Sequence, residues 1–242
     1  MALKLNAIPE AYKAFPKKGT AQNVEQMPKL IAEGRVPINV AQLMQRRLDV
    51  RNGPAKVKTN WMDNYFDMGD AVVYHPDGRI KIVLDSQTLR EMTPKSQRNR
   101  GALVLTEDIY NILPGEELKK GKLGKTGGWM SKADVKAYPV WKVLAREQAL
   151  LDDYTDFIFA EGNQRFKYDT AMGVYLGSCN GKTPEMRAWC VDWLVSGSVA
   201  IGRNDLDDDD GRLVGLAPEA LSAPGQGDFK CKNLCYGRGF NC

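Results

Sequence analysis

The sequence predicts an α+β fold: a helix-rich single domain packed around a small antiparallel or mixed sheet of about three strands. Three observations carry that expectation. Apolar residues recur at helical spacing in most of the longer segments, one hairpin stands out in the middle of the chain, and 43% hydrophobic with 26% charged residues over 242 positions is an ordinary globular composition. The segments read as an N-terminal helical part over 1–60, a hairpin-containing α/β layer over 61–128, a C-terminal helical core over 129–224 and a cysteine-bearing tail over 225–242.

Taken in order, Ile8–Phe15 suggests a short helix and KKGT breaks it. Asn23 can cap a helix through Glu33, with Gly34 as its stop. A second helix, capped by Asn39, runs from Val40 to about Val50 with Val40, Leu43, Met44 and Leu48 as its apolar stripe. At about 100° per residue, Arg47 and Arg51 fall on that same side. A guanidinium there wants a carboxylate.

The middle of the chain changes period. Ala71–His75 and Arg79–Leu84 flank Pro76-Asp77-Gly78, which is strong turn chemistry, so a hairpin is predicted. Ser86 or Asp85 caps a short helix through Met92, Ala102–Leu105 forms a third strand, and Glu107–Leu113 is a further short helix.

Ser131 with Asp134 opens another short helix, and Pro139 starts a long one reaching about Ala160. Val140, Val143, Leu144, Leu151, Tyr154 and Ile158 mark its apolar face, with Glu147 in the middle. A buried carboxylate needs a partner, so Glu147 is expected to pair with Arg47 or Arg51. Ala171–Leu176 reads as a short helix. From Thr183, an aromatic amphipathic helix is predicted with Met186, Trp189, Cys190, Trp193 and Leu194 on one face. It runs into the acidic block that ends at Gly211. Leu213–Leu216 is a short apolar run, and Pro218–Leu221 one more helical turn.

Charge suggests the function classes. Met1–Leu150 holds 25 Lys+Arg against 16 Asp+Glu, a balance of +9, and Leu151–Cys242 holds 9 against 14, a balance of −5, which together give the chain's +4. The cationic part could attract nucleic acid or another polyanion. Its candidate contacts are Arg46, Arg47, Arg51, Lys56 and Lys58 beside the first helix pair, and Lys119, Lys120, Lys122 and Lys125 in a basic loop. That loop is not a Walker A motif, because the required first glycine falls at Lys119.

The acidic block supplies a second class. Asp205, Asp207, Asp208, Asp209 and Asp210 could share a divalent cation, with Glu147 as a further ligand, in a phosphodiester hydrolase. An EF-hand is excluded: with Gly211 at position six, position one is Leu206 and position twelve is Ala217. His75, the one histidine, has no nucleophile beside it in sequence. Cys231, Cys235 and Cys242 are spaced too loosely for a zinc knuckle and could form a disulfide instead, while Cys179 and Cys190 read as buried thiols. The start of the chain lacks a secretory pattern and no window is long enough to span a membrane. The favoured expectation is a soluble, cytoplasmic, non-enzymatic binding protein touching nucleic acid, with a metal-dependent hydrolase or a self-assembling scaffold as alternatives.

Overall fold

Glu185–Val191, expected to open the aromatic helix, is a strand in which every residue is buried. In the computed structural model, which describes residues 11–16, 22–119, 121, 123, 127–208 and 211–217, it lies at the centre of an 11-stranded mixed sheet. The small three-stranded sheet is therefore corrected to an extensive one with helices on both faces. The physical reason is visible in the strand itself. Met186 and Ala188 pack on one side and Trp189 and Val191 on the other. With both faces buried, the apolar/polar alternation of a half-buried strand is absent, and a short apolar run cannot be told from helix by periodicity.

In chain order the strands are β1 (Tyr12–Pro16), β2 (Val36–Pro37), β3 (Phe66–Tyr74), β4 (Arg79–Val83), β5 (Arg98–Asn99), β6 (Ala102–Val104), β7 (Glu116–Lys119), β8 (Val174–Tyr175), β9 (Glu185–Val191), β10 (Ala200–Ile201) and β11 (Arg212–Leu216). The main path runs β1-β11-β3-β9-β10-β8. The expected helix over Ile8–Phe15 is thus replaced, where it is described, by β1, paired antiparallel from Tyr12↔Leu216 to Pro16↔Arg212. Strands from 1–60, 61–128 and 129–224 all enter this one sheet.

The helices are α1 (Asn23–Ala32), α2 (Val40–Asp49), α3 (Ala55–Met62), α4 (Gln87–Arg90), α5 (Glu107–Ile112), α6 (Lys132–Ala137), α7 (Pro139–Ala145) and α8 (Gln148–Phe166). Helices α1, α4 and α5 cover one face through Val24, Met27, Leu30, Leu89 and Tyr110. The larger set, α2, α3 and α6 to α8, covers the other, where Trp61, Trp141 and Tyr154 are fully buried. Local signals are met where side chains act on their own backbone. Asn39 caps α2 in a reciprocal capping box with Gln42, Ser86 caps α4, Ser131 caps α6, and the predicted hairpin is β3 paired with β4 from Ala71↔Val83 to Tyr74↔Ile80.

Two departures from regularity redirect charged side chains. The pairing of β3 with β9 slips between Asp67↔Cys190 and Ala71↔Ala188, so Met68, Gly69 and Asp70 stand opposite Trp189 alone. This bulge sends its backbone groups elsewhere: Gly69 N–H donates to Ile38 O at 2.7 Å and Gly69 O accepts from Ser86 at 2.8 Å. The long helix expected from Pro139 is broken. Arg146 adopts φ +67 and Glu147 takes the cap position of α8, so Glu147 is exposed and does not sit on an apolar face.

Candidate binding surface

A loop leaves the end of β9 at Asp192 and returns at Val199, turning through a 3-10 helix at Leu194–Ser196 and the left-handed residues Gly197 (φ +74) and Ser198 (φ +55). What holds it is Arg47, whose side chain is 0% exposed. The guanidinium makes five hydrogen bonds: to Trp61 O at 2.8 Å, Asn64 O at 3.2 Å, Asp192 O at 3.0 Å, Tyr154 Oη at 2.9 Å and Ser198 Oγ at 2.7 Å. The sequence placed Arg47 on the buried side of α2 correctly. Its expected partner was wrong: main-chain carbonyls and two hydroxyls, not Glu147, take the charge, while Arg51 is exposed. A planar fork with donors on three nitrogens suits such a ring of acceptors as a lysine could not.

The loop is also zipped to its neighbours through backbone. Met130 and Ala171 exchange both N–H···O bonds, at 3.2 and 3.1 Å, and Met172 N–H donates to Gly197 O at 2.6 Å. Gly173 is required by this close approach, because a Cβ there would lie 1.9 Å from Gly128 O.

On this frame sit the aromatic residues. Trp193 is 40% exposed, Val195 44% and Trp129 37%, which makes them half of the exposed large apolar side chains among the described residues. Both indoles converge on one serine: Trp129 Nε1 donates to Ser196 O at 3.1 Å and Trp193 Nε1 to Ser196 Oγ at 2.6 Å. Tyr168 Oη donates to Val195 O at 2.6 Å. Tyr65 stands edge-on to Trp193 at 6.2 Å, and Trp129 continues through Tyr168 at 5.1 Å to Phe166 at 5.4 Å. The result is a row of rings in which Trp129, Trp193 and Tyr168 are oriented by hydrogen bonds from their polar ends, with apolar surface left to solvent. Beneath it, burial raises the Asp192 carboxyl above the usual aspartate range, opposed by the Trp193 N–H it accepts at 2.8 Å and by Arg47.

A second buried arginine does the same for the next loop. Arg187 donates to the main-chain oxygens of Arg100 at 2.6 Å, Asn204 at 3.2 Å and Arg203 at 3.5 Å, and to the Asp205 carboxylate. Gly211, at φ +87, ends that loop against the Tyr65 ring.

Of the six described cations predicted to meet nucleic acid, three are engaged within the fold. Arg46 lies over the rings of Tyr12 and Trp61 at 4.9 and 5.5 Å, Arg47 is buried, and Lys58 pairs with Glu161 at 2.8 Å. Arg51, Lys56 and Lys119, the last at the end of β7, are exposed, and Lys120, Lys122 and Lys125 lie outside the described residues. In the described part of the acidic block, Asp205 is taken by Arg187, Asp207 faces Arg98 at 3.9 Å, and Asp208 donates its N–H to Asp205 O. Asp209, Asp210, Cys231, Cys235 and Cys242 lie outside the described residues. Among the described residues no three His, Cys, Asp or Glu side chains are grouped to hold a metal ion, and no helix is long and apolar enough to cross a membrane. His75 lies between Glu107 at 2.9 Å and Asp77 at 2.7 Å. Cys190 is a buried thiol as expected, whereas Cys179 is only partly covered.

No protein-family model and no curated protein matches this sequence. A solved structure does match in shape, one described as showing accommodation of massive sequence variation in Nanoarchaeota by the C-type lectin fold. It has a TM-score of 0.62 and 13% sequence identity, over 88% of this chain and 99% of that one. The likeness is one of fold alone, to the C-type lectin fold. In this chain, that fold brings β1 and β11 together and presents the Asp192–Val199 loop and its rings at the end of β9.

Sequence reasoning misses this surface because helical spacing places Trp193 on a buried face. A usable signal is present in Ser196-Gly197-Ser198, which is turn chemistry and marks Trp193 as lying next to a loop.

Proposed function

We propose that this chain is a binding protein that engages a protein partner through the ring platform of Trp193, Val195 and Trp129. The observation that carries the reading is the convergence of both indole N–H groups on Ser196. Rings oriented in advance lose little further freedom on binding, and their exposed apolar area is of the kind that anchors protein interfaces. Val195, 44% exposed, adds aliphatic surface and no polar group. The structural relative supports the same direction: it is described as accommodating massive sequence variation, and here Arg47 and Arg187 hold main-chain oxygens together with the Ser198 hydroxyl and the Asp205 carboxylate, which leaves the loop side chains they do not touch, Trp193 and Val195 among them, free to differ without loss of these bonds.

The test is a random twelve-residue peptide library displayed on phage and selected on the immobilised chain. Selected peptides are expected to compete with one another and to bind at least tenfold more weakly to Trp193→Ala/Val195→Ser. Peptides that bind wild type and this double variant equally would overturn the reading.

A further inference from the structure

The β3 bulge turns Asp70 into the interior, where its side chain is fully buried and ties three elements together. Its Oδ2 accepts the N–H of Val40 at 2.8 Å, the first turn of α2; its Oδ1 accepts the N–H of Asp85 at 2.9 Å, just past β4; and the same oxygen is 3.1 Å from Arg146 between α7 and α8. Arg146 also reaches Asp85 Oδ2 at 2.8 Å. Asp85 in turn accepts from Asn39 Nδ2 at 3.0 Å and has Arg90 of α4 at 3.7 Å. The charged groups facing Asp70 are therefore Arg146 and Asp85, with Arg90 behind Asp85 and the N-terminal amides of α2 opposite. Arg146 (φ +67) and Asp85 (φ +49) both hold left-handed backbone that non-glycine residues adopt at a cost, so the network maintains the break in the helix.

We propose that Asp70 is a proton-operated catch on the α7–α8 junction: ionised, it clamps Arg146 together with Asp85; protonated, it releases Arg146 to Asp85 alone and the junction loosens. Burial raises the Asp70 carboxyl to about 6, against the opposing pull of Arg146 and of the two amides, which places the change in a range that a protein can meet. Helix α8 begins at this junction, carries Tyr154 against Arg47 and ends at Phe166 in the ring row.

Amide hydrogen exchange between pH 7.5 and 5.0, corrected for intrinsic exchange, tests this on the full chain. Protection at the hydrogen-bonded amides on either side of the break, Arg146 and Leu151, is expected to fall at least tenfold at the lower pH in wild type and to be low at both pH values in Asp70→Asn. Unchanged protection in wild type, or a pH effect that persists in Asp70→Asn, overturns the proposal. Because the variant could fail to fold, the wild-type chain is also followed by NMR: the Asp70 carboxyl carbon and the Arg146 Nε resonance should titrate with one midpoint. Separate midpoints, or an Arg146 signal that does not move, count equally against it.

Discussion

Arg47→Met is expected to lower stability by about 3–5 kcal/mol, which for a chain of this size is a fall in Tm of roughly 10–15 °C. Methionine replaces the hydrocarbon stem but supplies none of the five donors, so the buried oxygens of Trp61, Asp192 and Ser198 lose their partner at once. Tyr154 and Ser198 can still bond each other at 2.7 Å, which limits the loss. Arg47→Lys should fall between, since one ammonium cannot span acceptors arranged around a planar fork. Differential scanning calorimetry of the three proteins gives the order directly. A Tm for Arg47→Met within 2–3 °C of wild type, about what a surface substitution does, would mean that the loop is held by something else.

The second large effect is on stability against pH. Asp70 releases its proton near 3.8 in an unfolded chain but near 6 here, so the folded protein holds that proton more tightly than the unfolded one between those values. The sign follows: the contribution is fully present below about pH 4 and is lost as pH rises through 6. Its size is on the order of 3 kcal/mol by linkage, undiminished by solvent because the group is fully buried. Carboxylates such as Asp77, held down to about 2 chiefly by the Arg79 backbone N–H, act in the opposite direction and on the surface. The informative quantity is therefore a difference. Denaturant unfolding of wild type minus Asp70→Asn should fall by that amount from pH 4 to pH 7, and a flat difference would contradict the placement of Asp70. Global stabilisation at low pH and local loosening at Arg146 are compatible, because the first reflects a neutral group in a dry site and the second an ion pair with one member gone.

How much of this was legible depended on how local each signal was. The cap at Asn39, the cap at Ser86 and the Pro76-Asp77-Gly78 hairpin are decided by side chains acting on adjacent backbone, and the structure has all three. Strands β9 and β11 are decided by burial on both faces within a sheet whose neighbours come from distant parts of the chain, and nothing in their own residues separates them from helix. The buried position of Arg47 was legible from its angle on α2, whereas its partners were not: main-chain carbonyls of Trp61, Asn64 and Asp192 carry no mark in sequence. Glu147 was misplaced because the helix breaks at Arg146, whose side chain bonds Asp70 and Asp85, far away in the chain. The charge asymmetry is partly taken up in pairs that join the two parts, such as Lys58 with Glu161 and Lys136 with Asp156.

Binding through the ring platform requires that the Asp192–Val199 loop keep its shape through main-chain bonds and that its exposed residues be free for a partner. The most direct measurement is the Tm of Trp193→Ala/Val195→Ser beside that of wild type. A fall clearly smaller than that of Arg47→Met is expected, because Trp193 and Val195 are 40% and 44% exposed; a fall as large as that of Arg47→Met would show that these side chains belong to the core and would remove the binding surface.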